Sequence, residues 1–385
     1  MLLKNLNIIG HDGIQHISIT RDKIRAISPD ESSLSAGKNE LSVAFENAIA
    51  FPGLINSHDH LDFNLFPQTG NRIYRNYKEW GADIQTNNRK GIDAILTIPK
   101  NLRVQWGIYK NLLNGITTVV NHGEYLNIEN PVIDIFQNCR SLHSVQERSW
   151  KFKLNRPFVK DQPFVIHIGE GTDASSVEEI NELIRWNLFK RKIIAVHGVA
   201  MNANQAKAFE ALVWCPDSNF FLLNETAKVN ELKKQTKIIF GTDSTVSANW
   251  NMWEQIRLAK KTGMLSENEL YESLTSLPAA VWGFDNRGSL AKGKCADIVI
   301  AKQVNGIDST NNFFQINPED ILMVIRNGEI LLSDEDVFTQ CRRDGNEFCK
   351  IFINGTGKYV KGNLPGLIEQ IKKCGLEINL PIKIK

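Results

Sequence analysis

The stretch 164–197 reads FVIHIGEGTDASSVEEINELIRWNLFKRKIIAVH. It has the pattern of a strand, a helix and a second strand in succession. Its two ends are short apolar runs that finish at His167 and His197. The segment between them has apolar residues at helical spacing, with Ser176 and Glu179 in the pattern of an N-terminal capping box. A strand, a helix and a strand in this order predict two parallel strands joined by a crossover helix.

The same alternation continues towards the C-terminus. Helices are expected over 202–212 and 225–234 and again from Met252. Short apolar strands are expected over 213–215 and 238–241. Repeating units of this kind build a parallel sheet, which is either open or closed into a barrel. Periodicity alone does not choose between these two arrangements.

Both chain ends differ from this central region because they consist of short strands and hairpins. Asp12-Gly13 and Asn327-Gly328 are two-residue turn signals, each beside an apolar, strand-like run. We therefore expect one small β domain assembled from both ends, with the catalytic body between them. The predicted boundaries are 1–50 for the N-terminal part of the β domain, 51–290 for the catalytic body and 291–385 for the C-terminal part with a tail.

The composition is that of an ordinary globular protein. The 385 residues carry a formal net charge of +2, and their charges are scattered, so neither nucleic acid nor an anionic membrane is expected as a partner. The six cysteines include no C-x-x-C pair, which argues against a zinc finger or a disulfide framework. Without a signal-peptide pattern or a long apolar segment, we expect a soluble, cytoplasmic protein that acts on a small molecule.

The sharpest local signal is Phe51-Pro-Gly-Leu-Ile-Asn-Ser-His58-Asp-His60. Alternate residues of a strand point to the same side, so His58 and His60 can face one metal ion. An isolated H-x-H pattern is weak. The apolar run before it and the Pro-Gly pair strengthen it, because they place the two histidines where a strand meets a loop.

Other residues of metal-ligand type follow further strands. His167 and His197 end two strands, and Asp243 comes just after a third in Phe240-Gly-Thr-Asp-Ser. Sites in α/β sheets and barrels form at the carboxyl ends of strands, so these side chains should converge. Glu170, three residues after His167, could reach a metal-bound water, although a carboxylate at a helix N-terminus is the plainer alternative.

Two further features are less specific. His122 and Glu124 end another apolar strand and could contact the substrate, or His122 could simply bind a backbone carbonyl. His143 is a weaker candidate of the same kind. The long segment 65–114 is either a cover for the active site or a peripheral helical insertion.

These motifs together resemble the amidohydrolase superfamily, in particular the branch that contains cytosine deaminase, guanine deaminase and the triazine (chloro)hydrolases. The resemblance extends from about residue 45 to about residue 300. It rests on the following segments: Pro52-Gly-Leu-Ile-Asn with His58-Asp-His60, His167-Ile-Gly-Glu170, Val196-His197-Gly, Cys215-Pro-Asp-Ser-Asn219, Gly241-Thr-Asp243-Ser, and Gly293-Lys-Cys-Ala-Asp297-Ile-Val.

The resemblance implies a distorted (β/α)₈ TIM-like barrel with a small β-sandwich domain formed by both chain ends. Four of its residues would bind one divalent metal ion, with zinc favoured over iron or manganese: His58, His60, His167 and Asp243. Glu170 would be the proton shuttle, and His197 would contact the substrate or the attacking oxygen. A homodimer is expected at the family level. Because His122 and His167 are close in the chain, one βα unit between them should be shortened.

The predicted function is therefore metal-assisted hydrolysis of a carbon–nitrogen bond, and deamination of a purine-, pyrimidine- or triazine-like amidine is preferred. An alternative is hydrolysis of a cyclic amide, with one metal or with two bridged by a carboxylated Lys151 or Lys153. An iron oxygenase that uses His60 and Asp62 is a weaker alternative. A catalytically inactive barrel that only binds a ligand is the alternative outside enzymes.

Overall fold

The computed structural model describes residues 1–34, 40–157, 162–304, 308–341, 347–376 and 378–384. The strands in these ranges are β1 Leu2–Ile8, β2 Ile14–Thr20, β3 Lys23–Ser28, β4 Ser42–Pro52, β5 Leu54–Asp59, β6 Ile116–Asn121, β7 Asp134–Phe136, β8 Arg140–Leu142, β9 Phe164–Ile168, β10 Ile193–His197, β11 Ala211–Trp214, β12 Lys237–Phe240, β13 Ile298–Lys302, β14 Ile321–Arg326, β15 Glu329–Asp334, β16 Phe348–Ile353, β17 Thr356–Lys361 and β18 Ile382–Lys383.

The helices lie mainly between the central strands. They are α1 Tyr77–Asn87, α2 Arg89–Leu96, α3 Lys100–Leu113, α4 Trp150–Leu154, α5 Ala174–Trp186, α6 Ala203–Ala206, α7 Pro216–Leu223, α8 Val229–Leu232, α9 Met252–Lys261, α10 Glu267–Glu272, α11 Ser276–Trp282, α12 Ser309–Phe313, α13 Glu335–Phe338 and α14 Leu364–Lys373. Within the described ranges, none of them is both long and apolar enough to cross a membrane.

Strands β5 to β12 form the centre of the molecule and run parallel to their neighbours. They make two arcs, one in the order β5-β6-β7 and one in the order β12-β11-β10-β9-β8. Every residue of β9, β10 and β11 is buried, as expected for parallel strands covered on both faces. The Asp243 N–H donates to the His58 carbonyl at 3.0 Å, which ties the end of β12 to the end of β5.

The predicted shortening between His122 and His167 is present. Strands β7 and β8 have three residues each and are separated by only three residues, 137–139. The helix that follows them, α4, has five residues. A complete crossover between parallel strands needs a dozen residues or more, so this part of the barrel lacks room for two full units. This is where the barrel departs from regular eight-fold geometry.

The two chain ends meet in one large sheet, in the order β18-β16-β17-β15-β14-β13-β4-β1-β2-β3. The junction is at β4, which pairs parallel with β1 and antiparallel with β13. Strand β4 passes directly into β5 through Gly53, where a Cβ atom would lie 2.2 Å from the Thr117 hydroxyl oxygen. The β domain therefore fixes the start of the strand that carries His58. The exact domain boundaries stay a prediction.

Candidate active site

Four side chains from three separate strand ends meet at the mouth of the barrel. The Nε2 atom of His167 lies 3.2 Å from the Nε2 atoms of both His58 and His60. The Oδ1 atom of Asp243 lies 3.8 Å from Nε2 of His58 and 3.9 Å from Nε2 of His60. Ligands of one tetrahedral ion with bonds of 2.0–2.2 Å are about 3.4 Å apart. The four distances, 3.2–3.9 Å, are close to this value, which makes these side chains candidates for binding one divalent ion.

The protonation of the histidines also fits a metal. Burial lowers the pKa of His58 and of His167 well below the usual value, so both imidazoles are neutral, which is the form that binds metal ions. The Nδ1–H of His167 donates to the His143 carbonyl at 3.0 Å. Because this bond holds the proton on Nδ1, the Nε2 lone pair is free for a ligand.

Asp243 is held by the loop that follows β12. Its Oδ1 accepts the Ser244 N–H at 2.8 Å, and its Oδ2 accepts the Ser247 hydroxyl at 2.9 Å. Asp243 has a φ of +56°, a left-handed conformation that is uncommon outside glycine and is often found at functional sites. Gly241 is needed beside it, because a Cβ atom there would lie 2.8 Å from the Cβ of His58.

Glu170 and His197 form a second group next to the four candidate ligands. The Oε2 atom of Glu170 lies 3.7 Å from Nε2 of His197. Burial raises the pKa of Glu170 well above its usual value, and the nearby carboxylates of Asp243 and Glu179 act in the same direction. Both effects favour the protonated carboxyl form of Glu170. Burial lowers the pKa of His197, and its Nδ1–H donates to Asn219 Oδ1 at 2.9 Å, which leaves Nε2 free to accept.

Two more histidines face the same cavity. The ring of His122 lies 4.3 Å from the ring of His167, and both of its nitrogens are buried with no hydrogen-bond partner in the described part of the chain. His143 also lines the cavity, although its sequence context gave only a weak signal. His16, in contrast, lies in the β domain, where its Nδ1 accepts the Asn5 N–H.

The segment left open in the sequence, 65–114, contributes one wall of the site. Tyr77 and Trp80, both on α1, line a cavity of about 450 Å³ together with Phe63 and Leu222. The indole N–H of Trp80 donates to the Thr69 carbonyl at 2.7 Å, which fixes the ring. The segment is therefore part of the site and not a peripheral insertion. Its position could not be predicted, since no local pattern tells a helix which surface to cover.

The start of α5 differs from the capping box predicted at Ser176 and Glu179. The N-cap is Asp173, whose carboxylate accepts the Ser176 N–H at 3.0 Å and the Asn76 amide at 2.5 Å. Glu179 instead accepts the N–H of Gly169 at 2.8 Å, and Gly169 lies between His167 and Glu170 in the chain. Because α5 begins at Ala174, Glu179 is its sixth residue and is too far along the helix to bond back to the N-cap, so its carboxylate binds the N–H of the loop after β9 instead.

Replacing Asp173 by alanine is expected to lower the free energy of unfolding by about 1 kcal/mol at neutral pH, since it removes the cap. Burial alone would raise the pKa of Asp173, but hydrogen bonds from Ser176, Asn76 and Ser175 outweigh it and lower the pKa to about 2. The lowered pKa means that the contribution is present above the unfolded pKa of 3.8 and is lost as the pH falls towards 2.

Urea unfolding of wild type and Asp173→Ala at several pH values measures this difference. It should be largest near neutrality and shrink in acid, whereas Asp173→Asn should keep part of the cap and lose the pH dependence. A difference that stays constant from neutral to acidic pH would contradict this account of the cap.

The three residues on which the alternative functions depend form ion pairs outside the set of candidate metal ligands. Lys151 and Lys153 are on α4 and form ion pairs with Glu182 and Glu147, so the structure does not bring either lysine to the four candidate ligands. Asp62 lines the cavity, but its carboxylate lies 3.7 Å from the Lys100 ammonium. Among the described residues, Asp62 belongs to none of the groups spaced to hold a metal ion.

Comparison with known proteins agrees with this picture. The amidohydrolase family profile matches residues 158–331. A 5-methylthioadenosine/S-adenosylhomocysteine deaminase of Caldicellulosiruptor saccharolyticus is 25% identical over 418 positions, which cover 88% of this chain and 94% of the relative. A protein of the same description from Dictyoglomus turgidum is 22% identical and covers 78% of this chain and 84% of its own length.

Solved structures are similar over nearly the whole chain. A zinc-containing adenosine deaminase from Xanthomonas campestris has a TM-score of 0.71 at 15% identity, with 97% of each chain covered. Atrazine chlorohydrolase from Arthrobacter aurescens, complexed with zinc, has a TM-score of 0.67 at 17% identity, covering 97% of this chain and 99% of its own. At such low identities the likeness concerns the fold, and it confirms the predicted distorted barrel with an additional β domain.

Proposed function

This chain belongs with the amidohydrolases by family match and by fold, and from that premise we propose that it is a metal-dependent deaminase of a heterocyclic amidine. It is a hydrolase that acts on carbon–nitrogen bonds other than peptide bonds. The observation that carries the proposal is the set of short distances that link His58, His60, His167 and Asp243, which come from remote parts of the chain, with Glu170 and His197 beside them. Single residues of these types are common, but this combination at strand ends is specific.

The four candidate ligands are three neutral imidazoles and one carboxylate, a donor set that suits zinc and also accepts iron or manganese. We propose zinc, held by His58, His60, His167 and Asp243. When bound, such an ion supplies Lewis acidity that lowers the pKa of a coordinated water towards about 7. The unpartnered Nδ1 of His58 and the bonded Nδ1 of His167 are both compatible with coordination through Nε2.

The side chains around the candidate metal site take different parts in the proton transfers. Asp243 accepts a proton from the attacking water at a carboxylate oxygen. Glu170 donates a proton to the ring nitrogen of the substrate, and His197 Nε2 contacts the reacting centre. Water provides the oxygen that remains on the carbon. The proton taken by Asp243 passes to the amino group, the carbon–amino bond breaks and ammonia leaves, while the second proton of the water restores the carboxyl group of Glu170. General acid–base help of this kind contributes about 10²–10⁴-fold.

The relatives favour purine nucleosides as the first substrates to test. The curated relatives are described as deaminases of 5-methylthioadenosine and S-adenosylhomocysteine, and the structural relatives include adenosine and guanine deaminases. An adenine ring presents an amidine carbon with an amino group, which is the group this chemistry removes. We propose His122 as a further substrate contact, since its two buried nitrogens have no protein partner in the described residues. A cytoplasmic location and a homodimer stay predictions.

Purified protein reconstituted with zinc is expected to hold one ion per chain and to release ammonia from at least one member of a panel of purines, pyrimidines and triazines. His167→Ala should lose both metal and turnover, whereas His11→Ala, an exposed position in the β domain, should lose neither. Metal analysis and an ammonia assay measure the two results.

Two alternatives give different outcomes in the same assay. A cyclic-amide hydrolase would consume substrate without ammonia release. A ligand-binding barrel would bind members of the panel and convert none of them. Protein that stays free of metal after reconstitution would contradict the proposed metal-dependent function.

A further inference from the structure

The mouth of the cavity carries a compact group of charges that the catalytic chemistry does not use. The Lys100 ammonium, at the start of α3, lies 2.9 Å from Glu124 Oε2 and 3.7 Å from Asp62 Oδ2. These three residues come from the loop after β5, from α3 and from the loop after β6. All three line the cavity, and the side chains of Lys100 and Glu124 are 41% and 85% exposed. We call them the rim cluster.

Lys100 is the only lysine or arginine among the described residues that line this cavity, and it faces two carboxylates. Arg103 stands behind the rim, with its Nη1 4.0 Å from Asp62 Oδ2. Its guanidinium donates to the backbone carbonyls of Asp62 at 2.8 Å and Ile98 at 3.1 Å. Two cations are therefore balanced by two anions, and neither cation is free for an anionic ligand.

Part of the cavity wall is apolar. The apolar side chains in the lining, which also contains the rim cluster and several candidate metal ligands, are Phe63, Trp80, Leu126, Leu222 and Val246. A flat ring can pack against such a wall. A substituent on that ring that points to the mouth would meet apolar carbon first and then the carboxylate of Glu124, whose side chain is 85% exposed.

We propose that the rim cluster makes this site selective for substrates whose outward substituent is uncharged, and that it discriminates against phosphate or carboxylate groups at that end. This inference rests on the proposed deaminase function and narrows its substrate class. A phosphate or carboxylate at the mouth would either lie beside two carboxylates or displace Glu124 from Lys100. Both arrangements cost electrostatic free energy, and salt screens only part of it because one side of the mouth is protein.

The test compares two substrates with the same base and sugar, one of which carries a negatively charged group at the outward end. Adenosine is set against adenosine 5′-monophosphate at low ionic strength. We expect kcat/KM to be higher for adenosine by about tenfold or more, which corresponds to about 1.4 kcal/mol. In Glu124→Lys the ratio should fall by a similar factor, because the new cation favours the anionic member.

Glu178→Lys is the matched control. It changes the net charge by the same amount at an exposed position on α5, where Glu178 pairs only with residues of its own helix. The ratio should stay at the wild-type value in this variant. Equal kcat/KM values for adenosine and adenosine 5′-monophosphate in wild type, or a ratio that is the same in Glu124→Lys and in wild type, would overturn the proposal.

A binding measurement separates this inference from the deaminase function. The reaction products inosine and inosine 5′-monophosphate can be titrated against the zinc protein while Trp fluorescence is followed. Tighter binding of inosine, reversed or levelled in Glu124→Lys, supports charge selection even if no compound releases ammonia. Equal binding of both products contradicts charge selection even if adenosine is deaminated.

Discussion

Replacing Glu170 by glutamine is expected to reduce kcat by about 10²–10⁴-fold on the best substrate of the panel. The carboxyl lies beside His197 and outside the groups of described residues whose atoms are spaced to hold a metal ion. Glutamine keeps the size and the hydrogen-bonding capacity but cannot donate and take back a proton. The metal content should therefore stay at one ion per chain while turnover falls.

Steady-state kinetics together with metal analysis measures both quantities on the same samples. Glu178→Gln, eight residues further along the chain and exposed, is the matched control and should retain wild-type kinetics. Full activity of Glu170→Gln on a substrate that wild type deaminates would remove Glu170 from the mechanism. A parallel loss of metal and activity would instead make it a structural residue of the centre.

Replacing Lys110 by methionine is expected to destabilise the protein by about 3–5 kcal/mol, the largest change in stability that we predict. Lys110 is 1% exposed, and its ammonium lies 3.0 Å from the fully buried carboxylate of Asp59. Asp59 is the residue between His58 and His60 in the chain. The ammonium also donates to Asn64 Oδ1 at 2.9 Å. Removing it leaves a buried carboxylate without a countercharge.

Denaturant unfolding of Lys110→Met and of the double variant Lys110→Met with Asp59→Asn tests this explanation. The double variant should regain part of the lost stability, because it removes the uncompensated charge. Lys90→Met, at an exposed position on α2, should unfold like wild type. Equal stability of Lys110→Met and wild type would mean that the buried pair contributes little to the fold.

The same pair also bears on the candidate metal centre. Asp59 accepts amide hydrogens from Asn111 at 2.7 Å and from Asn64 at 2.9 Å, so α3 and the loop after β5 hold the segment that carries both histidines. A variant that loosens Asp59 should therefore bind zinc more weakly, as measured by competition with a chelator. Nothing in the sequence around Lys110 indicated this pairing, because the two partners lie in different elements.

Local sequence pattern was enough to predict several parts of the fold. Apolar runs that end in His167 and His197 gave strands β9 and β10, and the alternation of strands and helices gave the parallel centre. Strand polarity then brought the candidate ligands to one end, since the carboxyl ends of parallel strands share an edge. The wrong predictions are also local. The helix predicted over 202–212 is replaced by the short α6 and the start of β11. The helix α7 was not predicted, and the helix predicted over 225–234 is only the four residues of α8.

The tertiary structure was needed to show what lies across the cavity from those strand ends. It placed Tyr77 and Trp80 against the site, paired Lys100 with Glu124, and buried Lys110 against Asp59. Each of these contacts joins different elements of the chain. Hydrophobic periodicity tells which side of an element is buried, but it does not specify the partner, because burial of apolar surface is non-directional. Partner choice is set by packing and by the pairing of buried charges, and both exist only once the chain has folded.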